Sequence, residues 1–523
     1  MSRLFRAVSA AALVRRTVTY SLCGDSASTA VLQHTVRTAA ETVGASVRDG
    51  SFVFWAPPSS CTDCGNANPL SPYAMATMAP IQGDTQMLQW PLAQTEVIAV
   101  WLCVPPIARY IGWTPYMMTR KRAEKTYTVF ASMADTASAG MSAFNSSLAW
   151  YSRLQSSAGQ GALPWGHDAV LLLGSDTNAV AAARRLIEPL MVSAGGITSW
   201  IIPKRFSPAE MPGSTYSLLQ RYALPANTSA WAAWMTAPPV AVWSLTMPTN
   251  VSASDTTNDA APLIPKRGFT ELHLEGAVVA LAGLVASRFN ATGTAALFDA
   301  SQPNPLESGF PCVQACINCG GDNRDTTYVT SLPLFKLPLG SESFAVLVGV
   351  NHARAGNGAY SSVSVYDSDI RLGVLAVTDS VMSGTANSWL KGTPHERYAS
   401  KLYVIAVSRT CGPNINAVFP GESCIRVPSA GFPSVKPEHS VRLVERPYAA
   451  MDGSNVGPDP HVLVLPKLVL VNVQSYSGVE GDASNMRQLV ASSIEQLRTR
   501  QQGAQQAVTM WAQQQQMSTS IGR

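Results

Sequence analysis

Charge is scarce in this sequence. Charged residues make up 13% of its 523 positions, against roughly 25% in an average soluble domain. The formal net charge of +4 is too small to argue for a nucleic-acid partner. No run of eighteen or more apolar residues occurs, so no stretch reads as a membrane span. The most apolar helical stretch, Gly276 to Ala286, covers eleven residues and reads as a buried core helix. Several familiar chemistries lack their motifs. There is no GxSxG nucleophile elbow, no GxxxxGK[ST] phosphate loop, no HExxH zinc helix and no GxGxxG dinucleotide turn. There is no internal repeat, and no cofactor is legible.

What replaces the charge is Ala, Ser, Thr, Gly and Pro, beside 46% hydrophobic residues. That apolar content is too high for disorder. A chain of this length is expected to divide into two to four domains. The mixture suits a secreted protein, a shell-forming protein or one with extensive packed interfaces.

Residues 1–24 carry Arg3, Arg6, Arg15 and Arg16 with no acid before Asp25. That is the composition of a mitochondrial presequence. The apolar stretch Ala7 to Val14 is just long enough for a secretory signal, although the arginine pair after it is a poor cleavage context. An ordinary exposed N-terminal segment is the plain alternative.

Nine cysteines are present. Cys61, Cys64, Cys312, Cys316, Cys319, Cys411 and Cys424 lie in loops rich in Gly, Pro, Asn and Asp, where cysteines read as staples. Cys411 and Cys424 are expected to pair with each other. Loss of Cys23 with a targeting segment would leave an even eight. Cys103, inside VIAVWLCVPP, is expected to be a buried free thiol. Two alternatives use the same residues. The CxxC pairs Cys61/Cys64 and Cys316/Cys319 could together bind zinc, though they lie far apart for that. The CxxxCxxC spacing of Cys312, Cys316 and Cys319 could hold a cubic iron–sulfur cluster, though its surroundings do not match.

The fold class expected is α+β. Residues 50–135 read as β-rich, with apolar strands at Ser51 to Trp55 and Val97 to Val104. Residues 165–250 read as α/β: strand at Ala169 to Leu173, helix at Ala179 to Leu190, strand at Thr198 to Ile202, in the order of a parallel βαβ unit. A polar linker covers 251–270. Residues 271–342 combine the core helix with cysteine-containing loops. Residues 343–475 form a second β-rich domain, sandwich-like or a covered sheet, with Val462 to Val473 among its strand-like segments, because several of these segments are continuously apolar. Residues 485–515 repeat apolar positions with heptad spacing and are expected to form a helix that docks on the protein's own body or self-associates.

The sharpest candidate for chemistry is GVNHARAGNGAYSSVSVYDSD at 349–369. An apolar strand runs into Asn351-His352, and the next strand ends at Asp367 and Asp369. His352 could serve as general base, oriented by one of the aspartates. A simple hairpin would place them at opposite ends, which argues against partnership, and the plain alternative is a strand-end cap. The stretch 109–130 interleaves Arg109, Arg120, Lys121, Arg122 and Lys125 with five aromatics. That pattern can suit sugars or nucleic acid, but at so modest a charge it reads as a solvated turn between strands. The Asp452–Asp459 stretch lacks the oxygen spacing of a calcium loop. Four Asn-x-Ser/Thr sequons (Asn145, Asn227, Asn250, Asn290) are compatible with secretion.

Two classes of function follow. One is an extracytoplasmic enzyme, a hydrolase with its site on the loops around His352. The other is a non-catalytic, disulfide-stabilised surface, ligand-binding or shell-forming protein.

Overall fold

The computed structural model describes residues 20–23, 27–57, 59–78, 89–140, 166–191, 196–248, 263, 266, 268–290, 295–298, 301–303, 309–331, 334–339, 343–449, 456–473 and 475–476. The expected helix at 485–515, most of the 1–24 segment and most of the 251–270 linker lie outside these residues. Contacts group Met1–Gln474 into one compact unit and Ser475–Arg523 into another. The fold is α+β, with strands dominating.

The first half builds one large curled sheet. Its backbone runs Lys125–Ser132, Ala108–Arg122, Thr215–Pro225, Tyr73–Met78, Ser46–Trp55, Val240–Thr246, Glu96–Cys103, Asp168–Gly174 and Ile197–Ile201. The stretches 50–135 and 165–250 are therefore not separate regions. Their strands interleave, and Thr215–Pro225 sits between Ala108–Arg122 and Tyr73–Met78. Local pattern shows strands but not their long-range partners, which is why the two stretches look independent in sequence. Asp168–Gly174 and Ile197–Ile201 pair in parallel around the helix Thr177–Ile187. That helix starts on Asp176, whose carboxylate accepts from the Ala179 amide at 2.8 Å, the usual cap for an orphan N-terminal N–H.

The strand Glu96–Cys103 is buried along its whole length. Ile98, Val100 and Leu102 enter one core, while Val97, Ala99, Trp101 and Cys103 enter another with helix residues Leu32, Val36 and Ala183. A strand covered on both faces needs apolar residues at both parities, and this removes the alternation expected of a half-exposed strand.

The second half contains two further sheets. A five-stranded sheet has the order Ala295–Phe298, Lys467–Val471, Phe344–Val350, Leu402–Ser408, Cys424–Arg426. Of the expected strand at 462–473, only Lys467–Val471 is extended, because Pro460 opens a short 3-10 turn and Pro466 cannot donate to a ladder. The other sheet pairs Tyr360–Asp367 with both Leu372–Thr378 and Val441–Tyr448. Val346, Val348 and Val404 face the helix Glu275–Asn290, and Leu347, Ile405 and Leu470 face Val363, Val365 and Leu443 of the other sheet.

The segment Leu272–Phe289 is long and apolar enough to cross a membrane by length and composition. Here its Leu274, Ala277, Val278, Leu281, Ala282 and Val285 are buried in the protein core. An inner apolar stripe of this kind is what packs a helix onto a sheet.

The cysteine pairs are Cys23–Cys103, Cys61–Cys64, Cys312–Cys319 and Cys411–Cys424, with Cα separations of 4.9, 5.5, 5.7 and 5.9 Å. The expected Cys411–Cys424 bridge is present. Two expectations are corrected. Cys103 is not a free thiol, because the Leu22–Cys23 segment is held beside it by the Leu22 amide bonding Asp168 at 2.8 Å. Cys316 is the free cysteine instead of a staple. It occupies the left-handed C-cap of the short helix Phe310–Ala315, while Cys312 and Cys319 on either side of it bond to each other.

Candidate functional site

His352 stands where the central strand Phe344–Val350 ends. Asn351 caps the turn that follows, its side chain accepting from the Arg354 amide at 3.3 Å. The imidazole is fully buried. Its Nδ1 lies 2.9 Å from both carboxylate oxygens of Glu271, and its Nε2 lies 3.4 Å from Glu445 Oε2, the distance of an ion pair rather than a good hydrogen bond. Glu271 also accepts from Asn357 Nδ2 at 2.9 Å and the Val464 amide at 3.1 Å, and Glu445 accepts from the Tyr403 hydroxyl at 3.0 Å. Burial pulls the imidazolium toward losing its proton, but the carboxylates on either side outweigh it and lift the pKa to about 10. Burial likewise pushes Glu271 up, and the facing His352 reverses that to a net lowering. The ring is therefore a cation at neutral pH, clamped between the start of a helix, the five-stranded sheet and the neighbouring sheet.

The aspartates expected to orient His352 do not reach it. Asp367 lies at the far end of Tyr360–Asp367, where its Oδ2 is 2.6 Å from His439 Nδ1 and its Oδ1 accepts from the Asp369 and Ile370 amides. Asp369 accepts from the Ser440 amide at 3.2 Å. The true partners, Glu271 and Glu445 for His352 and His439 for Asp367, come from remote parts of the chain and carry no local sequence signal. The basic-aromatic stretch also does structural duty. Tyr110, Trp113 and Tyr116 are buried, Arg109 pairs with Asp379 at 3.1 Å, and Arg120 donates to the Val313 and Gln314 carbonyls.

A different feature has the form of a binding site. A cavity of about 650 Å³ opens between the large curled sheet and the sheet containing Val441–Tyr448. Strand alternation explains its lining. Tyr73 and Met75, Leu219 and Arg221, and Thr128 and Phe130 are pairs two residues apart, so each pair shares a face. Arg442, Val444 and Arg446 do the same from the opposite wall. Glu445, of opposite parity, points away to Tyr403 and His352.

Two disulfide-bonded loops close the sides. The loop after Cys61–Cys64 contributes Gly65, Asn66 and Ala67, and is held by the Cys64 amide on the Ile370 carbonyl (2.8 Å) and the Asn66 amide on that of Arg371 (2.9 Å). The loop ending the Cys312–Cys319 bridge contributes Gly320, Gly321 and Asp322. Gly321 adopts φ +71°, and a Cβ there would come within 2.6 Å of the Phe130 ring, so glycine is required for this loop to lie against the aromatic wall.

No family model and no curated protein matches this chain. Among solved structures, an uncharacterized protein from Burkholderia cenocepacia is similar over 88% of this chain and 92% of its own, with 13% identity and a TM-score of 0.36.

The cavity's lining is mixed apolar, aromatic and charged. Its walls are Trp55, Tyr73, Phe130, Tyr328 and Leu219, with three guanidinium groups and one carboxylate, Asp322. Asp322 is raised by burial even though it accepts from both the amide and hydroxyl of Ser132. Among the described residues, no cluster of His, Cys, Asp and Glu could hold a metal ion. The signal that could have pointed here is VRLVERP, in which Arg442, Val444 and Arg446 share one face of the strand, opposite to Glu445.

Proposed function

We propose that this chain is a non-catalytic, disulfide-stabilised, extracytoplasmic protein that binds a small molecule in the cavity between its sheets. The observation that carries the reading is the cavity itself. Its volume lies within the range of small-molecule sites, and its walls combine apolar and aromatic faces with a few polar groups. Two of its walls are loops braced by disulfides, which keeps the site preformed. A preformed site spends less binding energy on ordering. Four disulfides fit an oxidising compartment.

The hydrolase reading asks for a neutral imidazole facing a cleft. His352 is fully buried and held protonated by two carboxylates, so its geometry supports a structural role.

The test is a thermal-shift and tryptophan-fluorescence screen with drug-sized fragments of every charge type. Trp55 in the cavity wall supplies the optical signal. The blocking variant is Thr128→Trp, at an exposed position on the cavity's edge where folding is not at stake. Fragments that stabilise the native chain but not the variant support the proposal. Fragments that stabilise both equally, or none that stabilise the native chain, overturn it.

A further inference from the structure

The three arginines of the cavity are unusual in what they lack. Arg221 and Arg446 are 2% and 3% exposed, yet among the described residues neither they nor Arg442 has a carboxylate within ion-pair distance. Buried cations are ordinarily paired with acids, because desolvation is otherwise uncompensated.

These three settle for neutral partners. Arg221 donates to the Gly321 carbonyl at 3.0 Å and weakly to Thr114 Oγ1 at 3.4 Å, and lies over the rings of Tyr73 and Tyr116. Arg446 donates to Ser364 Oγ at 3.0 Å and to the Tyr366 hydroxyl at 2.5 Å, and lies over Tyr328 and Tyr366. Arg442 donates to Asn66 Oδ1 at 2.5 Å and lies over the same Tyr366 ring. A guanidinium has five N–H donors. Arg221 and Arg446 each commit two and Arg442 one, and the Nε–H of all three is without a partner.

Arg442 is in addition repelled by its neighbours. Arg442 is depressed first by burial and further by the neighbouring Arg446 and Arg371. Arg371 is answered by Asp63, but Arg442 and Arg446 have no such counter-charge. Within the cavity three guanidiniums face one carboxylate, Asp322, whose own proton affinity is raised. The uncompensated charge there is about two positive, and it sits beside aromatic faces at Trp55, Tyr73, Phe130 and Tyr328.

We infer that the ligand of this cavity is a small dianion, a phosphate monoester or dicarboxylate, with an aromatic body: the acidic head is gripped by Arg221, Arg442 and Arg446, and the ring lies against the aromatic wall. This rests on the cavity being a small-molecule site. Planar guanidiniums match both kinds of acidic oxygen in a two-pronged geometry. A bound dianion supplies the counter-charge that the protein itself does not.

The experiment titrates the full chain, disulfides intact, with phenyl phosphate and terephthalate, following Trp fluorescence and melting temperature. Inorganic phosphate, phenol and benzylamine are the controls. One or both aromatic dianions should bind saturably, more weakly at high salt, and which one binds distinguishes a phosphate head from a carboxylate head. Phenol, benzylamine and bare phosphate should each bind at least about tenfold more weakly, the loss of one charge-assisted pair or one buried ring. Arg446→Gln should lower affinity about tenfold or more. Should that buried substitution fail to fold, Arg442→Gln, at a partly exposed position relieved of repulsion, should give the same loss, and Arg442→Lys a smaller one. Phenol or benzylamine binding as tightly as the dianions, with Thr128→Trp still blocking them, would overturn the dianion while leaving the cavity a binding site. Phosphate binding as tightly as phenyl phosphate would remove the aromatic half. Binding of no probe, or binding that Thr128→Trp leaves untouched, would overturn both.

Discussion

Replacing His352 with Gln removes a buried cation and leaves Glu271 and Glu445 facing a neutral amide. Two routes give the size of the effect. The lift of the imidazolium from 6.5 to about 10 corresponds to roughly 5 kcal/mol of preference for the charged ring in the folded state. Breaking a buried ion pair by removing one partner costs about 3–5 kcal/mol. We therefore expect His352→Gln to lose about 3–5 kcal/mol at neutral pH, read from urea midpoints with the disulfides intact. The pH dependence has a defined sign. Because the folded-state pKa is raised, the histidine's contribution is fully present below about 6.5 and is lost as pH rises through about 10. In the variant, Glu271 loses the facing charge that lowers it and is left with the upward push of burial, so it can shed its charge by protonation and the deficit should shrink on the acid side of neutrality. A loss under about 1 kcal/mol, the range of an ordinary surface substitution, would refute the clamp. Unchanged melting together with abolished turnover of some substrate would restore His352 as a catalytic group.

Three further outcomes are expected. Alkylating the denatured, unreduced chain should label one cysteine, and peptide mapping should place it at Cys316, against nine labels after reduction; a label on Cys103 or Cys23 would break the N-terminal bridge assignment. Replacing Cys411 and Cys424 together with Ser should cost about 3 kcal/mol on the chain-entropy model for a loop of this size, measured as a lowered urea midpoint, and an unchanged midpoint would count against the bond. Asp325 is raised to about 7, chiefly by burial and only partly offset by the hydroxyls of Tyr110 and Ser138. Its protonated form stabilises the fold fully below about 3.8, and this is lost as pH rises through about 7. Asp325→Asn should therefore gain on the wild type by up to about 4 kcal/mol between acid and mildly alkaline pH, and a melting difference that stays flat with pH would contradict it.

Much of the local structure can be read directly from the residues. The Gly- and Pro-rich setting of Cys411 and Cys424 marks a loop staple, and that bridge forms. The strand–helix–strand order at Asp168–Gly174, Thr177–Ile187 and Ile197–Ile201 is visible from a short apolar run, a capping Asp176 and a return run. Both depend on forces that act over a few residues: turn geometry, capping and apolar burial. Even the separation of His352 from Asp367 follows from the fact that an antiparallel hairpin puts the start of one strand beside the end of the next.

Only the tertiary structure decided what these elements touch. Cys103 looks like a buried apolar residue until the distant Cys23 is brought to 4.9 Å between Cα atoms. His352 looks like a base until Glu271 and Glu445 close on it from a helix start and a neighbouring sheet and hold its proton. The arginine cavity exists only because Thr215–Pro225, in the large curled sheet, and Val441–Tyr448, in another, turn their charged faces toward each other. The physical reason is common to all three. Burial changes what a charge or a thiol does, and burial depends on contacts between residues far apart in the chain, which no local window of sequence contains.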